Sequence, residues 1–144
     1  MIRRSQPHEL DELMALWLQS TTEAHPFISQ EYWLESEELV RNSYIPQSQT
    51  WVCVRKGKIT GFISVLEKRF IGALFVDKAF YGKGVAAALM RQAKIRFPVL
   101  SLEVYEQNRR ARAFYQKQGF ITIDKSFNEE TQSALLIMAW SADC

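Results

Sequence analysis

The sequence has little from which to build a covalent or metal-held framework. Its 144 residues include 2 cysteines and 2 histidines. Cys53 lies within the apolar stretch "WVCV" and Cys144 is the last residue, so two free thiols in a reducing compartment are expected rather than a disulfide scaffold. His8 and His25 are not clustered with cysteines, which argues against a zinc site, and no metal is expected. Charge of one sign is also lacking: 18 basic against 16 acidic residues leave a net charge of +2. That is too little to argue for nucleic acid or an anionic membrane as a partner, so any anion binding must be local. No apolar run approaches the roughly 20 residues of a membrane span. The opening "MIRRSQPHELDEL" has basic residues without an apolar stretch behind them, so no signal peptide is expected and a cytoplasmic location is the default.

What is present is ordinary for a globular protein: 47% hydrophobic and 24% charged residues, enough for a core in one domain over 1–144. "MIRRS" reads as a short strand. From Pro7, helical spacing of Leu10, Leu13, Met14 and Trp17 predicts a first helix, which "TTEAHPFIS" breaks because His25 precedes Pro26. Ser29 is the expected N-cap of a second helix reaching about Tyr44, closed by Pro46. "TWVCVRKGKITGFISVLE" reads as a hairpin turning at Lys56-Gly57-Lys58, and "FIGALFV" as a third strand. Helical spacing returns from Gly82 to about Phe97. A strand "VLSLEVY", a short helix "RRARAFYQKQ" ending at Gly119, and strands "FITIDKSF" and "SALLIMAW" complete the chain. The predicted class is α+β: a mixed, mostly antiparallel sheet with one parallel βαβ step and helices on both faces.

The stretch "FYGKGVAAALM", Phe80 to Met90, puts two glycines before a helix and admits three phosphate-handling designs. A P-loop needs a hydroxyl residue after its Gly-Lys, and here Gly84 follows. Gly82-Lys83-Gly84-Val85-Ala86-Ala87 fits the dinucleotide pattern G-x-G-x-x-A, and Glu103 lies where a ribose-binding acid would stand. The antiparallel hairpin before the turn, and the single βα step after it, oppose that reading. In the third design, R/Q-x-x-G-x-G/A, the unpaired N–H groups of a helix start cradle a pyrophosphate. Tyr81 to Ala86 fit it, with Lys83 adding a mobile charge.

The turn, together with "LEVYEQNRRARAFYQKQGF" and its Glu103, Asn108, Ala111, Tyr115, Gly119 and Phe120, resembles the GNAT superfamily of acyl-CoA-dependent N-acetyltransferases. The likeness covers Ala73 to Phe120 by motif, and the strand order matches across the chain. Tyr81 and Lys78 depart from it, standing where Arg or Gln and proline are usual. The resemblance implies acetyl-CoA as cosubstrate and direct transfer to an amine: a protein N-terminus, a lysine or a small amine. It places the pantetheine arm along Leu74, Phe75 and Val76, and the pyrophosphate on Tyr81, Gly82, Lys83, Gly84, Val85 and Ala86. Asn108 would contact the arm as well as cap its helix. Tyr115 is the implied general acid and Glu103 the implied base, with Glu67 as runner-up. His25, Phe27 and Trp33, in the region between the first two helices, are the expected acceptor-site residues. A CoA-binding regulatory module without turnover is the alternative. A nucleic-acid binder using Arg109, Arg110 and Arg112 is a weaker one. A monomer or homodimer fits either.

Overall fold

The computed structural model describes residues 1–142, so the expected thiol at Cys144 lies outside them. Seven strands form one sheet in the order β1-β2-β3-β4-β5-β7-β6. In chain order these are β1 (Ile2–Arg4), β2 (Gln49–Arg55), β3 (Lys58–Leu66), β4 (Phe70–Val76), β5 (Val99–Tyr105), β6 (Ile121–Asn128) and β7 (Ser133–Ser141). Every neighbouring pair is antiparallel except β4 and β5, which the crossover helix joins. The helices are α1 (Leu10–Ala24), α2 (Gln30–Leu39), α3 (Ile45–Gln47), α4 (Val85–Arg96) and α5 (Arg109–Lys117). This is the α+β architecture the pattern predicts, with one parallel pair and helices on both faces. Among the described residues no helix is long and apolar enough to cross a membrane.

Two cores explain why β2 and β3 are buried at successive positions rather than alternately. On one face α4 buries Val85, Leu89, Met90 and Ala93 against Trp51, Cys53, Ile63, Val65, Leu100 and Leu102. On the other, α1 buries Leu13, Met14, Leu16 and Trp17 against Val52, Phe62 and Ala73. A strand covered on both faces has no solvent side on which to place polar residues. Gly61 lets α4 approach closely. A Cβ there would meet the Phe75 carbonyl oxygen and Val85 Cγ1 at 2.9 Å each.

Two boundaries differ from the sequence reading, while the expected N-cap, Ser29, is in place. α1 runs through Thr21 and Thr22 to Ala24, and only at His25 (φ −127°, ψ 65°) does the backbone leave the helix, as a residue before proline must. Ser29 stands at the N-cap of α2 in an extended conformation, yet its hydroxyl makes no capping bond. Pro46 does not close the second helical region. After α2 comes one π-helical stretch, Val40–Tyr44, and Pro46 then sits in the first turn of α3, where its missing N–H costs nothing.

β4 and β5 pair only at Phe70–Ser101 and Ile71–Leu102, after which they part. Gly72 is an extra residue in β4, because Ser64 faces Ala73 whereas Val65 faces Ile71. A bulge of this kind bends a strand and increases its twist. The sheet therefore opens in its middle, just where the crossover helix begins.

Candidate active site

The opening forms a cleft of about 540 Å³. Its walls are Ile71 to Val76 from β4 and Leu102 to Tyr105 from β5. The turn into α4 and one face of α5 close one end, and α1 with the segment after it closes the other.

At the α4 end the chain leaves β4 through a 3-10 turn, Lys78–Phe80, whose start is held by the Asp77 carboxylate accepting from Ala79 N–H at 3.0 Å. Gly82 and Gly84 follow with φ of +78° and +79°. Both values lie in the left-handed region that an L side chain enters only at a cost of about 1–2 kcal/mol. The first turn of α4 is closed by Ala88 N–H donating to the Gly84 carbonyl at 3.0 Å. The N–H groups of Val85, Ala86 and Ala87 are thus left without an intrahelical acceptor at the positive end of a helix. Arg55 pins the turn from behind by donating to the Lys83 carbonyl at 3.2 Å. Tyr81, Gly82, Gly84, Val85 and Ala86 all line the cleft. Lys83 does not, and its ammonium lies 5.7 Å from the centre of the Phe80 ring. The arginine beside this turn comes from α5 instead: Arg110 stacks on Tyr81.

α5 begins at Asn108, whose side-chain oxygen accepts from Ala111 N–H at 3.3 Å. The cap and the cleft wall are therefore the same residue. The helix ends as its glycine predicts. Gly119 (φ +92°) donates to Gln116 and Phe120 to Tyr115, a paired closure that satisfies two terminal carbonyls. Between these ends Tyr115 faces the cleft, its ring packed against Phe114 and Phe120 at centroid distances of 5.6 and 5.8 Å. Burial pushes its phenol up to about 12. The residue as a whole is only half-buried, so the shift reflects crowding around the ring rather than complete sealing. Its hydroxyl makes no hydrogen bond to any of the described residues. Nor does it belong to the fully enclosed side-chain atoms without a partner, which among the described residues are Thr22 Oγ1, Trp33 Nε1 and Arg112 Nε.

β5 places Glu103 and Tyr105 on one face, because side chains alternate along a strand. Glu103 is exposed and lines the cleft, and no protein cation holds it. Tyr105, which sequence reasoning passed over, joins an aromatic wall. Its ring lies 5.2 Å from His25, 5.7 Å from Phe27 and 6.5 Å from Trp33. Its position two residues beyond Glu103 was the available signal. His25 and Trp33 line the cleft, while Phe27 supports them from outside its lining. Glu67 is not brought to the site. It sits in the exposed β3–β4 turn with φ of 53°.

The three arginines of α5 do not make a free basic stripe. Arg112 donates to the Glu106 carbonyl at 2.9 Å, and Arg110 is engaged by Tyr81. Among the described residues no group of three His, Cys, Asp or Glu side chains is placed to hold a metal ion.

Comparison with known proteins agrees with this geometry. Residues 15–141 match the model of the acetyltransferase (GNAT) domain. The peptidyl-lysine N-acetyltransferase YiaC of Escherichia coli K12 is 44% identical over 140 residues, covering 97% of this chain and 96% of its own. Peptidyl-lysine N-acetyltransferase YjaB of the same strain is 40% identical over 126 residues, covering 87% and 84%. The solution structure of apo-form YjaB from Escherichia coli superposes with a TM-score of 0.82 at 37% identity, covering 96% of this chain and 95% of that one. A split sheet, a glycine turn at a helix start and a tyrosine facing the same cleft thus meet a family match over most of the chain, which belongs to the GNAT family of acetyltransferases.

Proposed function

We propose that the protein transfers an acetyl group from acetyl-CoA to a primary amine while both are bound, with a lysine side chain as the favoured acceptor. The observation that carries this reading is the Tyr115 hydroxyl, unpartnered and reachable, in the same cleft as the parted edge of β4 and the unpaired N–H groups of α4. The lysine preference rests on the names of the relatives, both peptidyl-lysine N-acetyltransferases.

The residues present fit acetyl-CoA. Leu74, Phe75 and Val76 lie beyond the last β4–β5 pair, so the edge they offer can take strand-like hydrogen bonds from an amide-bearing arm. Val85 to Ala87 offer N–H donors to phosphate oxygens, and Arg110 adds a charge beside them. Bound acetyl-CoA would supply an activated thioester and a thiolate leaving group. A backbone N–H of the β4 edge polarises the carbonyl, as an oxyanion donor does. Tyr115 donates its hydroxyl hydrogen to the departing sulfur. A phenol at about 12 is a far weaker acid than a thiol near 8.5. Tyr115 therefore stabilises the leaving group by a hydrogen bond, and full proton transfer from it would be uphill. Glu103, open to the cleft, is a carboxylate able to receive protons that leave the amine.

The test is release of CoA thiol from acetyl-CoA with a panel of acceptors: a lysine peptide with a blocked N-terminus, an alanyl peptide and spermidine. Turnover with the lysine peptide above the others is expected. Tight acetyl-CoA binding without turnover on any amine would leave a binding module.

A further inference from the structure

His25 is the C-cap of α1 and lines the cleft with the segment that closes the end opposite the glycine turn. Its Nδ1 lies 2.7 Å from the Thr21 carbonyl oxygen. A carbonyl only accepts, so Nδ1 carries the hydrogen, and in a neutral ring Nε2 is left as a lone pair. Among the described residues Nε2 has no hydrogen-bond partner, and it is not among the enclosed atoms without one. His25 as a residue is 7% exposed, and it lines the cleft.

The ring is also locked. Phe27 meets it edge-on at 5.8 Å, Tyr105 at 5.2 Å, and Trp33 lies tilted at 5.1 Å. Turning Nε2 away from the cleft would break the Thr21 bond and these three contacts together. Desolvation holds the imidazole below the ordinary histidine value, against the Thr21 bond that works the other way, so the neutral ring is its resting form at pH 7. The titratable groups around it are Tyr105 and Glu103 on β5 and Tyr32 on α2, behind Trp33. None of them contributes to that shift.

We infer that His25 Nε2 takes the proton from the incoming ammonium, and that Glu103 serves only as an onward acceptor. The inference rests on the transferase reading above. One N–H bond of the ammonium breaks and its proton passes to Nε2, an uphill transfer from an ammonium at about 10 that capture of the amine by the thioester draws forward. The freed nitrogen pair forms the new amide bond as the carbon–sulfur bond breaks, its pair leaving with sulfur. The nitrogen's second surplus proton ends on that sulfur, and the imidazolium passes its own to water by way of Glu103. A neutral base suits this end of the cleft. It needs no counter-ion, and its lone pair is fixed before the substrate arrives.

The test uses the full chain, a blocked lysine peptide and acetyl-CoA. In wild type, kcat/KM falls on the acid side of the ordinary histidine value, as Nε2 is protonated. His25→Asn retains an N–H able to reach the Thr21 carbonyl but has no base, and His25→Gln serves as a second variant. Each is expected to lose a hundredfold or more in kcat at pH 7. Their remaining rate should climb tenfold per pH unit toward the lysine's own value near 10, with acetyl-CoA affinity kept within twofold. Nitrogen NMR of the wild-type protein, with His8→Gln leaving one histidine to observe, should show hydrogen on Nδ1 and a titration matching the kinetic bend. Hydrogen on Nε2, a titration away from the bend, or a variant within threefold of wild type with the same bend would each overturn the inference. Absence of turnover by wild type on every amine would overturn the transferase reading itself, while leaving the tautomer measurable.

Discussion

The guanidinium carbon of Arg110 sits 3.8 Å from the centroid of the Tyr81 ring, joining the start of α5 to the turn that follows β4. The family pattern places Arg or Gln at the position of Tyr81. Here the charge arrives from a different helix, and the ring is its platform. A cation held over an aromatic face is worth about 0.5–2 kcal/mol. Tyr81→Ala should therefore raise the KM for acetyl-CoA roughly two- to thirtyfold with little change in kcat. Tyr81→Phe, which keeps the ring, should stay near wild type, and Arg110→Ala should match Tyr81→Ala. Steady-state kinetics with acetyl-CoA varied would settle it. A Tyr81→Ala enzyme with unaltered KM would refute the platform role.

Tyr115→Phe removes one hydroxyl from the cleft and leaves the packing against Phe114 and Phe120 in place. Turnover should fall about a hundredfold or more, and the KM for acetyl-CoA should move by less than threefold. Because the phenol titrates at about 12, Tyr115 stays protonated throughout the working range. Any alkaline loss of rate below pH 10 must then persist in the Phe variant. Its disappearance would mean that Tyr115 ionises there after all.

Asn108→Ala separates a cap from a ligand contact. Loss of the bond to Ala111 N–H should cost about 1 kcal/mol of stability, measured by urea unfolding. If the side chain also touches the arm of the cosubstrate, acetyl-CoA affinity falls further than in Asn108→Ser or Asn108→Asp, which still cap. Equal affinities across the three would reduce Asn108 to a cap.

Gly61→Ala forces a methyl group into the Phe75 carbonyl and Val85 Cγ1. Overpacking of this kind costs about 1–3 kcal/mol, and here the backbone is one of the two neighbours that must move. The shift would lift the start of α4 away from the sheet, so the melting temperature and acetyl-CoA affinity should fall together. Loss of stability with affinity intact would show that the glycine turn is positioned independently of β3.

The Glu9 carboxylate is held down to about 2, first by the Arg3 guanidinium, bonded at 2.7 and 3.0 Å, and also by the Gln6 N–H at 2.7 Å. A folded value below the unfolded one gives stability that is complete above about pH 4.5 and lost as pH falls toward 2. Glu9→Ala should be less stable than wild type by about 1 kcal/mol at pH 7, where the helix-entry bond is missing. The gap should narrow steadily from pH 4.5 to pH 2.5 in urea titrations. A gap independent of pH would assign the effect to packing alone.

The strands were legible because burial on both faces leaves apolar runs such as "WVCV". The end of α1 was not. Thr21 is polar but wholly buried in the helix, and its carbonyl holds His25, so a polar run that looks like a loop belongs to the wall of the site. The glycine turn, Asn108 and Tyr115 stand close in sequence to the strand ends that part, and local spacing was enough to find them. Arg110 on Tyr81 and Tyr105 on His25 are contacts between distant segments, and spacing along the chain carries no trace of them. Glu67 stood as runner-up to Glu103 because it lies at the end of the hairpin's second strand, as Glu103 lies near the end of its own. One strand end opens into the cleft, however, and the other folds back in a tight turn.

With only two rungs joining β4 to β5, the sheet is in effect two smaller sheets meeting at a weak seam, bridged from one side by α4. Anything that hydrogen-bonds along the free margin of β4 lengthens that seam and splints the halves together. Occupancy should then register far from the cleft, as slower amide exchange in β2 and β7 and a sharper unfolding transition.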